Sequence, residues 1–194
     1  MMIFYWQQCY GADSATYATE MSVSSAYVLT NDGVPTNAAF PTEINNANRG
    51  STETIGPYNL IAFTNIPDAG IKLTLHAGNN TTQHPPGSDQ LYLVHVPLVA
   101  DRSEQSQRVP YKVLFRPCYN SAFPPGTPRP EIMTLHPDPE GNENVITSVY
   151  ANDVACFPSR TGEPGQVSFE REAMTVLPLA GTYEGSVSIE IGPE

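Results

Sequence analysis

Residues 16–29 read TYATEMSVSSAYVL. The odd positions, Tyr17, Thr19, Met21, Val23, Ser25, Tyr27 and Leu29, hold most of the larger apolar groups, and the even ones are mostly small or polar. Successive side chains on a strand point to opposite faces. This spacing therefore predicts a strand with one apolar and one polar side. No partner strand follows closely. The next run, TNDGVPTNAAFPTEINNANRG, is turn and loop chemistry. Where residues 16–29 find their pairing decides what kind of sandwich the chain builds.

The rest of the chain supplies strands in quantity. It has 194 residues, enough for one domain with a real core. It carries 19 Pro and 14 Gly, and no apolar stripe of helical period is sustained. Strand patterns recur at 58–66 (YNLIAFTNI), 71–77 (IKLTLHA), 91–100, 109–117, 144–152, 166–177 and 182–191. In 71–77, Ile71, Leu73 and Leu75 alternate with Lys72, Thr74 and His76. The nearly continuous apolar run at 58–66 suits a central strand. Short strands at this spacing, broken by turn residues, predict an all-β sandwich. Residues 31–56, 78–90 and 117–143 read as loops. The proline density of the last argues against regular pairing there.

Composition removes several functions. Twenty acidic against nine basic residues give a formal charge of −11. Such a field repels a phosphate backbone and an anionic membrane surface, so no nucleic-acid partner is expected. No apolar run reaches the ~18–20 residues of a membrane-spanning helix, so no membrane insertion is expected. Nucleophile-elbow, zincin, Walker and dinucleotide motifs are all absent, so no catalytic residues and no cofactor are expected. The histidines, His76, His84, His95 and His136, are scattered. DPEGNEN sets Asp138, Glu140, Asn142 and Asn144 at alternate positions. Its glycine comes too early for a calcium loop and no glutamate closes it, so a solvated turn is expected and no metal.

The cysteines are Cys9, Cys118 and Cys156, with no spacing typical of zinc. Cys118 and Cys156 lie in the β-patterned body. They are either a disulfide or two small buried hydrophobes. A bridge would add about 4 kcal/mol by loop entropy. The opening MMIFYWQQCYGADSA is a short apolar run without a preceding Lys or Arg. It ends in a small-x-small pattern, so residues 1–15 are either leader-like or an irregular N-terminal segment.

Three stretches together carry a family resemblance. They are LPLAGTYEGSVSIEIGPE (177–194), EMSVSSAYVLTNDGVPTN (20–37) and GPYNLIAFTNIPDAGIKLTL (56–75). They resemble the last strand, the N-terminal extension with first strand, and the early central strands of fimbrial subunits. The fimbriae are those of the colonisation-factor type, assembled by the alternate chaperone–usher pathway.

The resemblance implies an immunoglobulin-like β-sandwich that lacks its last strand and is completed by a donor strand from another subunit. It divides the chain into residues 1–15, a donor extension at 16–29 and a pilin domain at 30–194. Tyr17, Thr19, Met21 and Val23 would be the donor side chains. Tyr183, Gly185, Val187, Ile189 and Ile191 would line the receiving groove. The implied partners are copies of the chain or related subunits, a periplasmic chaperone and an outer-membrane usher. The implied location is the bacterial surface, reached through the periplasm. Head-to-tail contacts of this kind do not close, so they build a filament that supports adhesion.

Two other readings fit a β-sandwich. One is a phage or virion decoration protein. The other is a secreted carbohydrate-binding module using Tyr92, Tyr111, Tyr119, Phe123 and Tyr150.

Overall fold

The alternation at Val109, Tyr111, Val113 and Phe115 becomes a strand whose inward side chains are all buried and whose others are partly exposed. The computed structural model describes residues 8–10, 16–18, 27–32, 38–64, 66, 69–77, 90–96, 105–119, 125–137, 144–146, 150 and 162–193. In chain order the strands are β1 (Gln8–Tyr10), β2 (Thr16–Ala18), β3 (Tyr27–Asp32), β4 (Glu53–Thr64), β5 (Ile71–Ala77) and β6 (Leu91–Val96). There follow β7 (Arg108–Arg116), β8 (Met133–Leu135), β9 (Asn144–Ile146), β10 (Gln166–Arg171), β11 (Thr182–Glu184) and β12 (Val187–Pro193). The fold is all-β in class, as the sequence predicts.

Two sheets hold the body. The larger runs β11-β6-β7-β10-β4-β3, and β8 joins it by pairing with β7. The smaller runs β12-β5-β9. Neighbours are antiparallel throughout. The order β3-β4-β10-β7 matches the A-B-E-D sheet of an immunoglobulin-type sandwich, and β5 with β12 match its C and F strands. A separate two-stranded pair joins β1 to β2.

One core lies between the sheets. Leu60, Val113, Phe115 and Val167 of the larger sheet share it with Ile71, Leu73, Leu75, Val187 and Ile189 of the smaller. Each fully buried side chain of this size contributes about 1.5–3 kcal/mol. The continuous run in β4 lies centrally, between β10 and β3, and Leu60 to Thr64 are all buried. A bulge interrupts the β10–β4 register between Val167 and Phe169. Gly56 sits opposite it with φ 99°, where a Cβ would lie 3.1 Å from the Val167 carbonyl oxygen. Only glycine meets both demands.

Four expectations change. The run 16–29 is not one strand. Tyr27–Leu29 open β3 and pair with Thr64–Ala62 of β4. Thr19, Met21 and Val23 lie outside the described residues. The run 182–191 is two strands in two sheets. β11 pairs with β6 and β12 pairs with β5, with the crossing at Gly185–Ser186. Strands that change sheets do so at a bend, and glycine supplies it. The proline-rich segment 117–143 does contain a strand, because Met133–Leu135 is a short proline-free window that needs only one partner edge. Finally, β10 stops at Arg171, opposite Glu53, the first residue of β4.

Candidate assembly edge and groove

β12 is the element the sequence pointed to. Its inward residues Val187 and Ile189 are buried, and Ile191 packs against the same core. On the other face Glu190 is exposed and meets His76 of β5 at 3.2 Å. β12 pairs along its whole length with β5. Its opposite edge pairs with no strand among the described residues. β2 and β3 both lie against β12. An unpaired strand edge presents backbone N–H and C=O groups ready to bind another strand.

Tyr183 and Gly185 lie elsewhere. Tyr183 pairs with His95 of β6, and the two rings meet edge-on with centroids 5.2 Å apart. The Tyr183 hydroxyl is 2.8 Å from the Leu179 carbonyl oxygen, and burial pushes its pKa up. Gly181 allows this approach, since a Cβ there would collide with the His95 ring. A Cβ on Gly185 would meet Leu93 Cδ2 at 2.9 Å and the Tyr111 hydroxyl at 3.4 Å. Gly185 therefore crowds the larger sheet, not the free edge of β12.

That crowding borders a separate groove of about 1130 Å³. Leu93, Val109, Tyr111 and Phe169 give it an apolar floor. Residues 38–44 and 177–187 form its walls. Sequence patterning shows neither wall, because both depend on how distant loops fold back over the sheet. Arg171 also lines the groove and is only 2% exposed. Its Nε lies 3.5 Å from Glu53 Oε2. The Nε and Nη1 of Arg171 and the Oε2 of Glu53 make no hydrogen bond. The sequence hid this arginine because QVSFER reads as an ordinary alternating strand end.

The proline-rich segment is tied down near Cys118, which is buried and disulfide-bonded. The expected partner, Cys156, lies outside the described residues. Tyr119 and Glu163 exchange two backbone hydrogen bonds of 3.0 and 2.7 Å. Arg129 joins the same point, pairing with Glu163 at 2.6 Å and lying over the Tyr119 ring. Of the aromatics considered for a sugar platform, Tyr119 and Tyr150 pack together around Cys118. Tyr111 is buried, Arg108 covers Tyr92, and Phe123 lies outside the described residues. Among the described residues, no group of three or more His, Cys, Asp or Glu is placed to hold a metal, and no helix is long and apolar enough to cross a membrane.

No protein-family profile matches the sequence, and no curated protein matches it. The chain is similar to one in a solved structure described as "Chaperone-tip adhesin complex is vital for synergistic activation of CFA/I fimbriae biogenesis". The two share 14% identity with a TM-score of 0.49. The match covers 82% of this chain and 40% of that one, so this chain spans well under half of its neighbour's length.

Proposed function

We propose that the chain is a structural subunit of a bacterial surface fimbria and polymerises head-to-tail by donor-strand exchange. The observation that supports this is the edge of β12 that pairs with no strand among the described residues. In a sandwich of this strand order, that edge is where a last strand would pair. A strand added there completes the backbone hydrogen bonds, and alternate side chains set its register. Residues 16–26 have the right pattern for the donor, with Tyr17, Thr19, Met21 and Val23 inward. In the single chain β2 lies against β3 and β12, and its described ladder is with β1. The receiving side chains are then Val187, Ile189 and Ile191, without Tyr183 and Gly185.

The function follows from assembly, without catalytic residues or a cofactor. A chaperone would hold the edge until an usher delivers the next subunit. Copies of the chain or related subunits would follow it to the cell surface. The disulfide at Cys118 suits an exported protein.

Deletion of residues 1–26, which spares β3, tests this in cells that carry the whole assembly system. The expected result is a truncated chain still recovered with its chaperone and no filaments made of it. Filaments built from the truncated chain alone would overturn the reading.

A further inference from the structure

We propose that the chain caps its own assembly edge: the pair β1–β2 lies over the side of β12 that another strand must reach, and assembly requires the pair to leave. This cap presupposes the strand exchange proposed above. β2 lies against both β12 and β3, and β12 and β3 lie against each other. β12 pairs with β5 along its whole length, which fixes β5 on one edge of β12. β2 does not approach β5 to a comparable extent. It therefore lies on the other side of β12, toward β3. On that side no strand pairs with β12 among the described residues, and a strand added to the sheet would bind there. Neighbouring strands in a sheet stand only ~4.7–4.9 Å apart, so an incoming strand needs the space that β2 takes up.

The cap is held weakly. β1 and β2 share three residue pairs, Gln8 with Ala18, Cys9 with Tyr17 and Tyr10 with Thr16. An isolated two-stranded ladder is marginal in water. β3 shares six pairs with β4, from Tyr27 with Thr64 to Asp32 with Asn59, so it stays in the larger sheet when β1 and β2 move. Residues 19–26 separate β2 from β3 and reach up to about 26–29 Å when extended. That length lets the pair swing clear of β12. Opening then does two things at once: it uncovers the edge, and it releases residues 16–26 to serve as donor to another copy. The same opening is needed whether the incoming strand belongs to a chaperone or to the next subunit. A strand that binds only the open state has its apparent affinity reduced by the open fraction, so a cap closed about nine-tenths of the time weakens binding about tenfold.

Binding of a fluorescent peptide of residues 16–26, read by anisotropy, tests the cap on three proteins. They are the unaltered chain, the chain lacking residues 1–26, and full-length Tyr17→Pro, which removes a backbone donor from the middle of β2. The peptide itself keeps Tyr17. The shortened chain and Tyr17→Pro should each bind the peptide at least about tenfold more tightly than the unaltered chain. Equal affinity for all three would overturn the cap and leave the assembly reading standing. Binding by none of them would overturn the cap and the assembly reading together. If the shortened chain does not fold, the comparison of Tyr17→Pro with the unaltered chain still decides, because Tyr17 belongs to neither sheet of the sandwich.

Discussion

The pair formed by Arg171 and Glu53 gives a prediction with a sign that depends on context. Arg171 is 2% exposed and the Glu53 side chain 15%, so either one alone is a stranded charge. Breaking one side of a buried pair costs about 3–5 kcal/mol. The two single variants should not be equal. Arg171→Met leaves a carboxylate that can neutralise itself by taking a proton, whereas Glu53→Leu leaves a guanidinium that cannot. Glu53→Leu should fall near the upper figure and Arg171→Met near the lower. In the double variant no charge is stranded, and Met and Leu fill similar volume. It should lie within about 1 kcal/mol of the unaltered protein, or above it. The assay is urea unfolding at neutral pH, with midpoint and slope fitted for the four proteins. A double variant as unstable as the worse single one would refute the reasoning, because the loss would then come from packing and not from unpaired charge.

Three further outcomes are expected. Gly165→Ala should destabilise by about 2–4 kcal/mol, since its Cβ would press on the Leu60 carbonyl oxygen and disturb the 2.8 Å bond from Leu60 N to Gly165 O; unchanged urea stability would contradict this. Stability should fall in alkali. Burial raises the pKa of Tyr111, and a hydrogen bond to the Glu172 carboxylate raises that of Lys112. Both proton-bound forms favour the fold. Their contribution is complete below about pH 10 and fades as pH rises through the raised values. Tyr111→Phe with Lys112→Met should flatten that limb in urea midpoints, and an unchanged slope would contradict the assignment. Peptide mapping without reductant should find Cys118 joined to Cys156, and a Cys118–Cys9 link would show that the staple runs elsewhere.

Much of the body was legible because its strands bury one face. In 71–77 and 109–115 the apolar period of two translates directly into Ile71, Leu73, Leu75, Val109, Tyr111, Val113 and Phe115 at 5% exposure or less. The continuous run at 58–66 marked a central strand for the same reason. Periodicity says nothing about which sheet a strand joins. TYEGSVSIEI keeps its alternation through Gly185, yet its halves pair with β6 and β5. TYATEMSVSSAYVL likewise hides a boundary, since Tyr27 onward pairs with β4 while Thr16–Ala18 pairs with Gln8–Tyr10. β8 was missed because composition averages over a segment, whereas pairing needs only three residues free of proline. The groove was invisible because Arg171, Gly185 and residues 38–44 meet only through tertiary folding.

The most direct measurement places a photo-crosslinking residue at position 21 in the full chain. Filaments are assembled from equal amounts of heavy-isotope and ordinary subunits, irradiated, digested and analysed by mass. Donor-strand exchange predicts mixed-isotope cross-links from position 21 to peptides of β12 or β3. Cross-links that stay within one isotope, joining position 21 only to its own chain, would contradict it.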